Sequence, residues 1–554
     1  MKPAVAACTL ASPALVVSQY TIAGSVASNP VFDGFVSYSI EFSSFPDFAG
    51  NNSHPNTFSD TLLENIKDII GTKPYIRVGG NTQDYALYDA SLPYALEGKY
   101  DPARSEDYPT TITIGRSYFE SYNTWKGVKF SHGFNLGLGA NRSSGWQTLL
   151  DTVPLACKAL SGGRLYLWGY GNEPDLFSVS AQGPVRPPNW NEETYVQQWL
   201  NGTRTIKSLI QEHCPELATD DAYGYLAPSF AGVGRVLRAP ETWRVGLNED
   251  KSVKVFDTHN YISGADSPGV TLQGTLLNHH VTKRAVDAHI VEYKAVMEVA
   301  SSCCGPLPPL IFGETNSLYN QGRPGLSNTF GAALWGVDFN LYSASVGFKR
   351  VHMHMGTNYR YASWQPVPTE FTTIGTKAPY YGNIAVAAAL GNLLLRPATV
   401  VEIPLSSSRP QSAYAIYTSP NPNSTTTTTT TTASPATATA TLSRIMLLNL
   451  QSYNTTLSGA GLVPLDDPPR GVRSSTRCTW TCPRHRHPPP PPPPLPPLPP
   501  LPPPPPIRVT RPARPSAASA GSWPTAATPS RASPGTGGAT TTSWAAAGRC
   551  AWPT

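Results

Sequence analysis

The chain has 554 residues and a formal charge of +5, with 40% hydrophobic and only 14% charged residues. Ten Arg and no Lys, Asp or Glu fall between Pro468 and Thr554, so with that stretch set aside the remainder carries about −5 and the basic character belongs to an appendage. A mildly acidic body rich in Tyr, Trp, Asn and Gly does not suit nucleic acid, and no apolar run reaches the roughly 20 residues needed to span a bilayer.

The amino terminus, MKPAVAACTLASPALVV, has one Lys followed by small and apolar residues, which reads as a secretory signal over 1–18 interrupted by Pro3 and Pro13. Five Asn-x-Ser/Thr sequons, at Asn51, Asn141, Asn201, Asn423 and Asn454, are compatible with a secreted glycoprotein. From Gly34 onward, runs rich in β-branched and aromatic residues alternate with segments of helical periodicity. The strands fall at Phe35–Phe42, Tyr75–Val78, Phe134–Leu138, Leu165–Tyr170, Ala222–Ala227, Val253–His259, Leu310–Gly313 and Phe348–Met353. Helical spacing covers Ser59–Ile70, Trp146–Leu160, Glu192–His213, Val281–Ser301, Phe330–Val346 and Tyr380–Leu390. Eight strands alternating with helices predict a (β/α)8 barrel over 19–395, an α/β fold; the open doubly wound alternative lacks a Gly-x-Gly-x-x-Gly after its first strand.

Beyond the barrel, VVEIPL, SAYAIYTS and SRIMLLNLQSY read as strands of a partial β-sandwich-like accessory domain over 396–465, interrupted by a Thr run at Thr425–Thr432; Tyr20–Val26 is a candidate extra strand. From 466 to 554 the chain is a low-complexity, disordered Pro/Arg-rich tail with a nearly unbroken proline run from Pro488 to Pro506. Either it is a natural tail that docks on proline-recognition domains, or a shifted reading frame replaced the last strands; the abrupt loss of every Asp, Glu and Lys beyond Asp467 favours the second. Cys157, Cys214, Cys303 and Cys304 lie near helix ends, where one disulfide and buried free thiols are equally compatible with the sequence. Cys478, Cys482, His485 and His487 have zinc-like spacing but no hydrophobic framework around them.

The chemistry concentrates at two strand ends. LYLWGYGNEPDLF leaves Asn172 and Glu173 just past the fourth strand, and PLIFGETNS places Glu314 at the end of the seventh. In a barrel both positions belong to the catalytic face, and their spacing of 141 residues suits three strand-helix units. Glycosidic cleavage needs such a pair, one carboxyl protonated for the leaving oxygen and one ionised at the anomeric carbon. Taken singly, either Glu would more often be a cap or an ion-pair residue. Neither role needs a metal or an organic cofactor.

With Asn-Glu-Pro at 172–174, the motifs SIEFSSFPDFAGN, IRVGGNTQDYALYD, GNEPDLF and GETNSLYNQG resemble glycoside hydrolase family 79, of the retaining barrel glycosidases. The resemblance spans about Phe35 to Gly391. It implies a retaining exo-β-glucuronidase acting on a glucuronide or a glucuronic-acid-containing glycan, plain or 4-O-methylated, with Glu173 as acid/base, Glu314 as nucleophile and Asn172 at the sugar 2-hydroxyl. Other candidates are Glu41, as ligand or internal ion-pair partner; Arg77, more a positioner of a catalytic carboxylate than a direct contact; Asn81; Tyr261; and His259, as ligand or ordinary satisfied histidine. For the uronate carboxylate the loop LYNQGRPG offers Tyr319, Gln321, the backbone at Gly322, and Arg323 unless that side chain is merely solvated. The resemblance favours Tyr319 and Gly322, assisted by Tyr359 or Tyr361. Trp364 is either a rim platform or core. The alternatives are a heparanase-like endo-glucuronidase, which a basic cleft would announce, and a non-catalytic carbohydrate-binding or scaffold protein.

Overall fold

The computed structural model describes residues 22–105, 107–180, 183–303, 305–405, 410–420 and 439–452. All the described residues fall within one compact unit, inside 1–474. The signal segment, the Thr run, the Cys478/Cys482/His485/His487 group and the proline tail lie outside the described residues.

Eight parallel strands close into a barrel in sequence order: β1 (Val36–Glu41), β2 (Ile76–Gly79), β3 (Phe130–Phe134), β4 (Leu165–Tyr170), β5 (Tyr225–Phe230), β6 (Val253–Gly264), β7 (Leu310–Tyr319) and β8 (Val351–Met355). Helices α1 (Thr57–Ile70), α2 (Ser143–Leu160), α3 (Glu192–His213), α4 (Ala239–Arg244), α5 (His279–Cys303), α6 (Phe330–Val346) and α7 (Ala378–Leu390) run between and after the strands. Local chemistry starts and stops them. Asn56, Asn191 and Thr329 each accept an N–H of the first turn of α1, α3 and α6, and Gly71 and Gly347 end α1 and α6 in the left-handed conformation.

Side chains alternate across each strand, and the outward set includes several large aromatics. Tyr38 packs on Trp364, and Tyr170 on Trp199 of α3. A Cβ at Gly202 of α3 would lie 2.2 Å from the Tyr170 ring, so only glycine lets that helix approach. Leu167, Leu226, Val255 and Ile311, one from each of four successive strands, form a separate apolar cluster. Val255 shares its strand face with Asp257 and His259, which puts this cluster inside the barrel as a floor beneath polar groups.

Several expected boundaries move. The third strand is Phe130–Phe134 rather than Phe134–Leu138. The apolar run after it is a loop whose Leu136 and Gly137 N–H groups donate to the Asp84 carboxylate. The fifth strand begins at Tyr225 and runs through Pro228 to Phe230, with Ser229 donating to Asp257. Among the described residues no α-helix joins β2 to β3. That crossover holds a three-stranded sheet (Ala86–Tyr88, Leu96–Lys99, Thr111–Ile114) and a 3-10 helix, Arg116–Asn123.

An antiparallel four-stranded sheet ordered Ser25–Ala27, Thr439–Asn449, Gln411–Thr418, Ala398–Glu402 packs on α6. It takes up the accessory strands read from the sequence, including the one near Val26. Cys157 and Cys214 form a disulfide between the ends of α2 and α3. Among the described residues no helix is long and apolar enough to cross a membrane.

Candidate active site

Glu173 follows β4 with φ +50°, a left-handed conformation costly for a residue with a Cβ, and its N–H donates to the Ser229 carbonyl at 2.9 Å. Glu314 lies within β7 and is buried. One carboxylate oxygen from each lies within 4.8 Å of the other.

The two acids stand in different company. Arg77, rising from β2, donates from Nη1 to Glu314 Oε2 at 2.6 Å and to Ser39 Oγ at 3.1 Å, and from Nη2 to Asn172 Oδ1 at 2.7 Å. Tyr261 donates its hydroxyl to Glu314 Oε1 at 2.8 Å, and His354 Nδ1 stands 3.6 Å from Oε2. Burial works against a charged carboxylate here, but the electrostatic pull of His354, His259 and Arg77, with the Tyr261 hydrogen bond, outweighs it and brings Glu314 down to about 2. These contacts favour the ionised form of Glu314.

Glu173 is partly open to solvent, and its Oε1 meets His259 Nδ1 at 3.0 Å. The other ring nitrogen of His259 faces Asp257 Oδ2 at 3.7 Å, an ion-pair distance too long for a hydrogen bond. Burial disfavours a charged ring, yet Glu314, Asp257 and Glu173 together push His259 up to about 10. It is an imidazolium between carboxylates.

No family model matches the sequence. The chain is 66% identical over 473 residues to a β-glucuronidase of Neurospora crassa, covering 84% of this chain and 80% of that protein. It is 54% identical to a β-glucuronidase of Aspergillus niger, covering 71% of each. The chain belongs to the fungal β-glucuronidase family. That makes it a glycoside hydrolase. In fold it is similar to a 4-O-α-L-rhamnosyl-β-D-glucuronidase from Fusarium oxysporum 12S, with a TM-score of 0.58 at 24% identity over 79% of this chain and 81% of that one.

Within this family member the other expected residues separate into two groups. Arg77, Asn172, Tyr261 and His259 surround the carboxylate pair. Asn81 is one step removed, accepting from Asn172 Nδ2 at 3.1 Å. Glu41 belongs to an internal network: Thr82 donates to Oε1 from its N–H and its hydroxyl, while Tyr359 donates to Oε2 at 3.1 Å and His354 Nε2 lies 3.4 Å from that oxygen. Both Glu41 oxygens have protein partners.

The loop after β7 is held by its own hydrogen bonds. Tyr319 is 43% exposed, with its hydroxyl 3.4 Å from Ser267 Oγ. The Gly322 N–H is bonded to the Leu318 carbonyl and the Arg323 N–H to Ser327 Oγ, so neither is left to cradle an anion. Gly322 has φ +79°, and a Cβ there would come within 2.8 Å of Ser327 and 3.1 Å of Tyr361. Its role in the structure is to let the loop close over Tyr361. The Gln321 carbonyl accepts the Arg360 N–H. Tyr359 and Tyr361 are buried, and burial first, then neighbouring carboxylates and tyrosines, hold both hydroxyls protonated. Trp364 is core, fully buried and donating to Ser59 Oγ.

Sequence reasoning passed over Asp84, Asp257, His354 and Arg360. Asp84 accepts the Asn172 N–H at 2.6 Å and so anchors the turn carrying Glu173. Arg360 binds the Gly322 carbonyl and pairs with both oxygens of Asp107. His354 had a signal, since VHMHM alternates polar with apolar residues in a strand that must face a polar interior. Glu173, His259 and Glu314 have the spacing of a metal triad. In the structure these ligand atoms are engaged with protein groups: both Glu314 oxygens accept from Arg77 and Tyr261, and His259 Nδ1 meets Glu173 Oε1.

Proposed function

We propose that the chain is a retaining, exo-acting β-glucuronidase of the glycoside hydrolase family 79 type, releasing terminal β-linked glucuronic or 4-O-methylglucuronic acid. The observation that carries this reading is the approach of Glu173 and Glu314 oxygens to within 4.8 Å, in keeping with the roughly 5–5.5 Å between carboxyls in retaining enzymes and too close for an inverting water. Glu314, ionised beside Arg77, attacks the anomeric carbon. Glu173 gives its proton to the leaving oxygen and then takes one from the water that breaks the glycosyl-enzyme bond.

Asn172 supports the same reading. Its Oδ1 is taken by Arg77, and its Nδ2 spends one hydrogen on Asn81, leaving the second for the sugar 2-hydroxyl. For the C6 carboxylate, the protonated hydroxyl of Tyr361 is a neutral donor near the pair, its ring centroid 6.0 Å from that of Tyr261, whose own hydroxyl is committed to Glu314. Arg360, one residue from Tyr361, adds positive potential. Secretion accords with the Cys157–Cys214 disulfide and with exposed sequons at Asn141 and Asn201.

The test compares an aryl β-glucuronide with the matching β-glucoside and follows the first-formed anomer by NMR. A preference for the glucoside overturns the uronate assignment, and initial release of α-sugar overturns retention. Glu314→Ala is expected to abolish turnover, with azide restoring it as an α-glycosyl azide. Full activity in that variant removes Glu314 from the mechanism.

A further inference from the structure

His259 holds Glu173, and a second buried acid stands behind it. Asp257 precedes His259 by two residues on β6, so both side chains face the barrel interior. The Asp257 carboxylate is fully buried. Its Oδ1 accepts the Gly313 N–H at 2.6 Å and its Oδ2 the Ser229 hydroxyl at 2.6 Å, bonds that reach it from the two neighbouring strands. A Cβ at Gly313 would come within 2.1 Å of Oδ1, so that close approach requires glycine just before Glu314. The β6 pairing with β7 slips between Thr258 and His259, and that with β5 between Asp257 and Thr258. The extra residues are Ser229 on β5 and Gly313 on β7, so each neighbouring strand bulges at the very residue that bonds Asp257, a common feature beside active sites.

We propose that Asp257 is a positioning residue for the acid/base step: its carboxylate, pinned by Gly313 and Ser229, holds His259 doubly protonated and oriented so that Nδ1–H grips Glu173 Oε1 and the transferable proton is confined to Oε2. The reason is tautomeric. A neutral His259 donating from Nδ1 would turn an Nε2 lone pair toward the Asp257 anion, and only a protonated Nε2 is attracted there. Groups from every side bear on this ring: Glu173 and Asp175 after β4, Asp257 beside it, Glu314 on β7, Arg77 through Asp257, and His289 from α5. Among them Asp257 alone faces Nε2 at ion-pair distance while bound to the frame on both oxygens. The inference rests on the acid/base assignment of Glu173.

Asp257→Asn isolates the charge, because the amide can still accept from Gly313 and can donate to Ser229 in place of the reverse bond. The measurement is kcat/KM for an unactivated alkyl β-glucuronide and for a dinitrophenyl β-glucuronide, whose leaving group departs without a proton. Asp257→Asn is expected to lose about tenfold to a hundredfold on the alkyl substrate and less than about threefold on the dinitrophenyl one, and the alkaline limb of its pH profile is expected to move to lower pH. Equal losses on both substrates, or an unmoved limb, overturn the proposal. Glu173→Gln is run alongside. If it too shows no dependence on the leaving group, the acid/base assignment fails; if it shows the dependence and Asp257→Asn does not, only the role of Asp257 fails. Should Asp257→Asn not fold, Ser229→Ala, which unpins one oxygen and leaves the charge, is expected to give a smaller loss confined to the alkyl substrate, and no selective loss overturns the proposal.

Discussion

The barrel mouth and the seam between barrel and small sheet use the same device, a histidine with a carboxylate at each ring nitrogen. At the seam His279 Nδ1 lies 2.9 Å from Asp338 and Nε2 lies 3.0 Å from Glu402. Lys283 binds the second Glu402 oxygen at 2.6 Å, and Tyr414 donates to Asp338 at 2.7 Å. Two cations meet two anions and the charges close. At the mouth Arg77 and His259 face three carboxylates, Glu314, Asp257 and Glu173, and the last still reaches solvent. One carboxylate is therefore left open to solvent where a proton must come and go. The contrast teaches that a buried histidine flanked by acids stabilises when its partners are saturated and serves chemistry when one of them is left open.

The largest expected effect comes from opening the mouth further. Arg77→Ala leaves Glu314 buried with less opposing charge and removes the bond that orients Asn172. Turnover is expected to fall about a hundredfold or more. The acid limb of kcat/KM should also move to higher pH, because the nucleophile must ionise and its carboxyl then titrates nearer the ordinary 4.5 than about 2. A variant whose limb stays put would show that His354 and His259 hold Glu314 without Arg77. The same shift has a stability sign. A carboxyl depressed in the fold contributes stability above its unfolded pKa and loses it as pH falls from about 4.5 toward 2, so Arg77→Ala should flatten acid unfolding in that window.

At the seam the effect is on folding. His279→Gln removes one charge from a closed set and should cost on the order of 3 kcal/mol, read as a lower denaturation midpoint, with kcat for the surviving fold unchanged. Burial opposes the charge on His279, but Asp338 and Glu402 raise it to about 9. A raised histidine contributes stability fully below its ordinary 6.5 and loses it as pH rises through about 9. The wild type should therefore loosen over about pH 7–9, a dependence that His279→Gln lacks. Circular dichroism melts at about pH 6 and pH 9 for both proteins give the comparison, and parallel curves would exclude His279 as the titrating group.

How legible each region is in the sequence depends on where its residues sit along the strands. Glu192–His213 and Phe330–Val346 coincide with α3 and α6, because capping residues and continuous apolar spacing bound them. The third strand is displaced in the sequence reading because FSHGF looks polar while FNLGL looks like a strand; a barrel interior that holds Arg77 and Gln83 needs small or polar inward residues, and a Cβ at Gly133 would strike Gln83 at 2.0 Å. Glu173 and Glu314 stand out as acids at strand ends. Asp257 and His354 do not, since a polar residue in mid-strand reads as a solvent-facing position until ring closure turns that face inward. The seam is invisible for another reason: His279, Asp338, Glu402 and Tyr414 come from four separate elements, and no local pattern links them.

The smallest expected effect sets one hydroxyl against another. Tyr414 and Tyr261 each donate to a buried carboxylate, at 2.7 Å to Asp338 and at 2.8 Å to Glu314, and replacing either by Phe deletes one oxygen without changing the ring. A hydrogen bond to a charged group is worth about 1.5–3 kcal/mol, and Asp338 keeps His279 as a partner, so Tyr414→Phe should fall near the low end, entirely as lost stability with kcat intact. Tyr261→Phe removes a comparable energy from a carboxylate whose charge is consumed when it attacks. Its loss should divide between a modest drop in the denaturation midpoint and about a tenfold change in kcat. If both variants lost only stability, the mouth would behave like the seam, and the solvent-open carboxylate would not be what distinguishes them.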